Sequence, residues 1–452
     1  MECATAAFAR TLCDSVSLGR GRNFSPLRTG RYSGRRGYGA RVAAELPGTD
    51  VPHAYVTACL RLRRLVPALV ALVTVDRTTR RTVADEPPPT AAELVRQAGR
   101  LAAALPDAGL VPHRARFFAG QVAALEWRAR RLAGQHLPFR QEVRECLGLD
   151  VEPGEPDVYR AAHRELATLL PGPGTPRDRL AAYRRHDAMP PDRLGPAVRA
   201  LSAALRERGQ RDDAVGTVEW RLVDDAPWSA LQTYEGGRRS IVRINRSAAP
   251  GAGRLPRLVA HEAYPGHHLE CLRAEAAVAA GRVELGVTVL GSPHTVVSEG
   301  LAECALDTSV GPEWGRWAAG VLAPRGVRLD AVTAERFDAV RRVLRHVRVD
   351  TALLLHGDGA PTSGRIAAAE EHLRRWLLLD AGRARCVAET LARPLGRTHA
   401  VAAVMGATTV RAVLDRAPDA VAEHRRLLDD PVLPEAVRSR TSTQSRDIVD
   451  GR

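Results

Sequence analysis

The stretch "LVAHEAYPGHHLE", residues 258–270, nearly spells the zinc pattern His-Glu-x-x-His, but Pro265 stands where the second histidine belongs. In the usual pattern two histidines four residues apart share one helical face and bind one metal, and the intervening glutamate activates water. Two other histidines, His267 and His268, follow the proline. On a straight helix His268 lies on the face of His261 but two turns away, about 10.5 Å along the axis. Metal–nitrogen bonds of about 2.0–2.1 Å do not span that gap. Pro265 has no N–H for the carbonyl of His261, so the helix must bend, bulge or open there, and Gly266 permits the backbone angles this needs. A two-residue bulge at Pro265-Gly266 brings His267 to the missing position, so the motif reads as rebuilt rather than broken.

A zinc site needs a third protein ligand. The candidate is Glu299, in "SPHTVVSEGLAECALD" at 292–307, where Ser292 and Pro293 are a plausible N-cap and N1. Val296, Glu299, Ala302, Glu303 and Leu306 then form one helical stripe, and a carboxylate among apolar neighbours is costly unless it is paired or bound to a metal. Gly300 permits close helix approach, and Glu303, one turn on, suits a partner for a ligating histidine.

Around this core the chain reads as mainly α-helical (α+β), with a small antiparallel sheet beside the zinc helix. Thr90 and Glu93 form a capping-box pattern ahead of a helix that Pro106 stops, and Phe118 to Leu132 mark a second helix closed by Gly134. "TVEWRLV" (217–223) and "SIVRIN" (240–245) are β-rich runs with turn glycines in "YEGG" (234–237) between them. Residues 1–50 read as a basic, disordered extension, 51–436 as one helical domain with a sub-boundary near the Pro/Gly clusters of 151–175, and 437–452 as a polar tail.

Composition narrows the class. The 452 residues are 45% hydrophobic, enough for a large core, and the formal charge is +14 with every basic residue an arginine. The arginines are interleaved with acids except in residues 1–45, which hold eight Arg against three acidic residues. A nucleic-acid-associated protein is therefore only a lesser alternative, one that predicts salt-dependent binding carried by that segment. Seven cysteines without a C-x-x-C pair point to neither a disulfide framework nor a thiolate zinc site, and to a reducing, cytoplasmic setting. The start lacks the pattern of a secretory signal, and "LVPALVALVTV" (65–75) is far short of the roughly 20 apolar residues of a membrane span.

"HEAYPGHH", followed some thirty residues later by "SEGLAE", resembles the signature of the domain-of-unknown-function 885 family of gluzincin-type metallopeptidases. "APWSALQTYEGGRRSIVRIN" is similar to that family's strand ahead of the zinc helix, "RPLGRTHAVAAVMG" to its C-terminal segment, and the resemblance covers about 51–436. It implies a mostly helical fold, one Zn2+ ion and hydrolysis of peptides or related amides, but no particular substrate. Small, short peptides are expected because large helical insertions enclose such a site, and the abundance of arginine suits a substrate carboxylate, as in a carboxypeptidase or dipeptidase. Carried over by position, it makes His261, His267 and Glu299 the ligands and Glu262 the catalytic base, with His268 a further candidate. It also offers Arg397 and His399 as donors to a developing oxyanion. Leu301 replaces the expected tryptophan, His399 the expected tyrosine, and the segment from 60 to 81 lacks expected Gly and Tyr residues. A metal-retaining but inactive binding protein is therefore the main alternative.

Other polar residues carry two readings. Tyr264 lines a pocket or packs in the core. His356 caps the C-terminus of a helix or joins the site, and His294 is a surface residue near a helix start. Asn245, ending the "SIVRIN" strand, is read as helping an edge strand hold an extended peptide by backbone pairing.

Overall fold

In the computed structural model the described residues are 50–438, apart from 210–215, 227, 249, 358 and 394–396. The N-terminal extension to residue 49 and the tail from 439 lie outside them. The chain is mainly α-helical, with two small sheets, an α+β fold. Among the described residues no helix is long and apolar enough to cross a membrane.

Local chemistry sets the N-terminal helices. Thr90 Oγ1 accepts the Glu93 N–H and the Glu93 carboxylate accepts the Thr90 N–H, closing the capping box of helix Ala91–Ala104. Helix Pro112–Leu132 follows, and Gly134 takes the left-handed conformation (φ 84°) just past its end. These helices bury Leu94, Leu101, Phe118 and Leu125 against Tyr55 and Leu62 of helix Val51–Leu65. The Pro/Gly clusters of 151–175 bracket a further helix, Pro156–Leu169, which packs Tyr159 and Leu166 against Phe337 and Leu344. Asp350 pins this segment by accepting bonds from Gly154 N (2.8 Å) and Tyr159 Oη (2.7 Å).

The sheet beside the motif contains β2 (Thr217–Val223), β3 (Ala230–Gly236) and β4 (Arg239–Asn245) in the order β2-β4-β3. It is mixed rather than wholly antiparallel. β3 and β4 form the antiparallel hairpin around Gly236 and Gly237, whereas β2 runs parallel to β4 with Thr217 opposite Arg239. The expected pairing of the two β-rich runs overlooked β3, whose insertion makes the chain reverse once more before β4 and so leaves β2 and β4 pointing the same way. Tyr234 of β3 donates to Glu275 Oε2 (2.6 Å), tying the sheet to helix His267–Ala279. A second pair, β1 (Val70–Leu72) with β5 (Val287–Val289), is antiparallel.

Helix Pro293–Ser309, which carries Glu299, crosses helix His399–Leu414 through two glycines. A Cβ on Gly300 would lie 2.3 Å from the Gly406 carbonyl oxygen, and one on Gly406 would lie 2.0 Å from that of Val296. Both obstacles are backbone, so a methyl group can be admitted only by moving a helix. Gly300→Ala is expected to destabilise the protein by about 3 kcal/mol in denaturant unfolding, and to weaken metal binding because Glu299 moves with its helix. Unchanged stability would contradict the close crossing.

Candidate metal centre

Helix Leu255–Glu262 places His261 and Glu262 in its last turn and stops at Ala263. The chain turns through Tyr264 and Pro265, joined by a cis bond, and a new helix starts at His267. The expected bulge within one helix is thus a full break between two helices. Its connections are specific: Gly266 N donates to Ala260 O (3.0 Å) and His268 N to Ala263 O (3.0 Å). A Cβ on Gly266 would lie 2.0 Å from the His261 carbonyl oxygen, so a side chain has no room there. The break brings the His261 and His267 rings together at 4.7 Å between centroids and at right angles.

Glu299 completes the group. His261 Nε2 lies 3.9 Å from Glu299 Oε2 and His267 Nε2 lies 4.0 Å from Glu299 Oε1. One donor atom from each of the three residues falls within 4.8 Å of the others. Nitrogen and oxygen donors around tetrahedral zinc stand about 3.3–3.5 Å apart, so the two imidazole–carboxylate separations exceed that spacing by roughly half an ångström, and the three donors must draw together to hold one ion. The donor set, two imidazoles and one carboxylate, matches a zinc site that keeps a position open.

The outward nitrogens are held as well. His261 Nδ1 faces Glu303 Oε1 at 3.6 Å and His267 Nδ1 faces Glu270 Oε2 at 3.1 Å. A carboxylate behind each ring favours the tautomer with the proton on Nδ1, leaving the Nε2 lone pairs toward Glu299. Each carboxylate is itself fixed. Arg345 Nη1 lies 2.6 Å from Glu303 Oε2, while Ser298 Oγ donates to Glu270 Oε2 (2.7 Å) and His294 Nε2 lies 3.4 Å from Glu270 Oε1. Arg257 donates to the Glu303 backbone carbonyl (2.8 Å) and pairs with Asp307 and Asp338, bracing this helix from behind.

The two imidazoles titrate in opposite directions. Burial lowers both, and for His261 the neighbouring His267 adds to that fall. For His267 the hydrogen bond to Glu270 and the charges of Glu299, Glu270 and Glu262 outweigh burial and raise it to about 9. Beyond the one proton each ring carries, an extra proton therefore favours His267, whose carboxylate partner is nearer while Glu303 is already paired with Arg345, and the His267 Nε2 lone pair is free only once that proton has left. Burial works against the ionised Glu270, but His267, His294 and Ser298 hold it down at about 2. Glu303 lies far below the usual carboxylate range: burial opposes its ionisation, but Arg345, His261 and Arg257 overcome it. Glu270→Ala is expected to weaken zinc binding by about 10–100-fold in chelator competition; an unchanged affinity would remove Glu270 from the centre.

The remaining candidates divide. Glu262 is buried and its charge acts on both His261 and His267. His268 points away from the trio, its Nδ1 2.7 Å from Ser240 Oγ, and burial and then Arg206 push it down to about 4. Tyr264 is buried in the core with its hydroxyl donating to Gly209 O (3.2 Å), and its ring also lines a cavity. His399 sits half-buried at the first position of the helix that crosses at Gly300.

Three expectations are corrected. Arg397 is buried with Nε on Glu142 Oε2 (2.7 Å) and Nη2 on Leu137 O (2.7 Å), so those donors serve a structural ion pair rather than an oxyanion. Asn245 ends β4, the central strand, and bonds Ala226 O (2.6 Å) and Ser247 N (3.0 Å); it is on no edge. His294 is turned inward to Glu270 rather than to the surface. His356 does end its helix, but its Nε2 lies 2.7 Å from Leu391 O of another helix and its ring packs on Phe139. Leu301 is buried, and its carbonyl is 3.1 Å from His424 Nε2. Glu270 was missed, although its place three residues after His267 on one helix was a usable signal. Arg345 gave none.

No family model and no curated protein matches the chain. Among solved structures it is similar to a provisionally assigned lipoprotein from Colwellia psychrerythraea, at 16% identity over 79% of this chain and 68% of that one, with a TM-score of 0.47. A likeness of that degree carries no argument about fold or activity.

Proposed function

We propose that this chain is a zinc-dependent hydrolase of peptide or related amide bonds in short substrates, as its resemblance to the domain-of-unknown-function 885 family implies. The observation that supports this most is the convergence of His261, His267 and Glu299 donor atoms within 4.8 Å, with a carboxylate behind each imidazole. Zinc bound by these residues supplies a Lewis acid that polarises the scissile carbonyl and makes water acidic enough to react near neutral pH. Glu262, adjacent to His261 in the chain, accepts the proton of the attacking water and delivers it to the leaving amine. Glu303 and Glu270 keep the rings in register, and Glu299 offers a carboxylate from the crossing helix.

A metal-retaining protein without turnover is the second reading. It is favoured by Arg397, whose Nε and Nη2 are engaged by Glu142 and Leu137, which leaves His399 as the remaining proposed oxyanion donor. Zinc-loaded protein tested on a library of short peptides separates the two. Cleavage that chelation abolishes and zinc restores supports the hydrolase; one bound zinc with no cleavage moves the assignment to the binder.

A further inference from the structure

Arg345, which pairs with Glu303 behind His261, also lines a partly open cavity of about 60 Å³. The cavity lies between helices Pro156–Leu169, Pro176–His186 and Ala331–Leu344, with Leu377 and Leu378 on a further side. Its lining is four arginines and seven apolar side chains, with no acidic residue among those described. Arg184 comes from the second of these helices, Arg341 from the third, and Arg345 and Arg348 from just beyond it. All four are half-buried, so water screens their charges only in part. The apolar walls include Leu180, Phe337 and Leu344, which are buried. Leu378 holds φ at 52°, a left-handed conformation costly for leucine, and strain of that kind gathers at ligand sites among other places.

Guanidiniums outnumber carboxylates behind this wall. Asp307, Asp338 and Glu303 are shared within 4.0 Å by Arg257, Arg341, Arg342, Arg345 and Arg411. Arg342 registers the excess: burial lowers its pKa, and the charges of Arg257 and Arg411 add to the fall against the pull of Asp338 and Asp307. Arg184 and Arg348 bring further positive charge to the cavity itself. An anion there relieves repulsion among half-buried cations, and the seven apolar walls favour one that carries a hydrocarbon part.

We propose that this cavity binds a carboxylate bearing a short apolar chain, and that the bound anion acts on the metal centre through Arg345. A volume of about 60 Å³ takes on the order of five water-sized atoms, the carboxylate and its first carbons, with the rest of the chain in the opening. Arg345 is the link. It lines the cavity with 11% of its side chain exposed and sets Nη1 2.6 Å from Glu303 Oε2, while Glu303 Oε1 faces His261 Nδ1 at 3.6 Å. Sharing its charge with an anion leaves Glu303 more negative and a better acceptor for the His261 N–H, which makes that imidazole a stronger zinc ligand. The coupling rests on the zinc reading; the binding site does not.

The experiment is calorimetric titration of the metal-depleted chain with hexanoate, hexanol, acetate and inorganic phosphate, repeated on Arg184→Gln/Arg348→Gln and on Leu377→Trp, which fills the cavity and keeps its charges. Hexanoate is expected to bind at least about tenfold more tightly than hexanol, which lacks the charge, and than acetate, which lacks the chain. Both variants are expected to lose that binding. No binding of hexanoate, equal binding of hexanol, phosphate binding as tightly, or binding that survives in both variants overturns the site. Chelator competition with and without saturating hexanoate then reads the coupling: zinc affinity is expected to rise about fivefold in the wild type and to stay unchanged in Leu377→Trp. An unchanged wild-type affinity overturns the action through Arg345. A chain that binds hexanoate but no zinc overturns the metal reading and leaves the site standing, so the two fall separately.

Discussion

Glu262→Gln is expected to lower hydrolysis by about a thousandfold while leaving the zinc content unchanged. The two halves of that result come from different parts of the geometry. Glu262 is not among the three residues whose donor atoms converge, so a neutral isostere removes no ligand. Its carboxylate is buried beside the imidazoles, close enough for its charge to act on both, which is where a base must stand to take a proton from water. Gln keeps the shape and loses the basicity. The ratio of kcat/KM for a cleaved peptide, with elemental analysis of the same preparations, reads both halves. A variant that keeps more than about a tenth of the activity would remove Glu262 from the role of base.

His267→Ala and Glu299→Ala are expected to lower zinc affinity by well over about a hundredfold, the range that outer partners of a ligand can reach by themselves. His268→Ala should leave affinity near the wild-type value, because that ring bonds Ser240 and not the trio. The pH dependence has a definite sign. In the metal-free protein His267 holds its proton up to about 9, and zinc must expel that proton to bind. Affinity therefore rises with pH by about tenfold per unit below that value and levels off above it. Glu270→Gln removes the negative charge that helps raise His267 and leaves only a neutral acceptor, so the levelling point should move to lower pH. Zinc titrations at several pH values check this; a flat profile would contradict the proton on His267.

How much of this could be read from sequence depended on distance along the chain. The capping box at Thr90 and Glu93, the strand runs at 217–223 and 240–245, and the Pro265-Gly266 interruption are local features, and the structure places them where their chemistry puts them. Glu299 was legible because a carboxylate in an apolar helical stripe asks for a partner. The form of the interruption was not, since a bulge and a full break both satisfy a proline without an N–H. β3 was overlooked because Gln232, Thr233 and Glu235 blur its alternation, and without it the parallel pairing of β2 with β4 has no cause. The buried pair of Arg397 and Glu142 joins residues 255 apart, and no periodicity records such a meeting. Arg345 reaches Glu303 in the same way, from the end of a helix that the sequence gives no reason to place there.

The account turns on whether the second imidazole of a rebuilt motif is His267. Crystals grown with zinc and measured across the zinc absorption edge test this directly. The expected result is one anomalous peak bounded by His261 Nε2, His267 Nε2 and the Glu299 carboxylate, absent from crystals of His267→Ala. A peak held by His268, or no peak in zinc-saturated wild-type crystals, would contradict it.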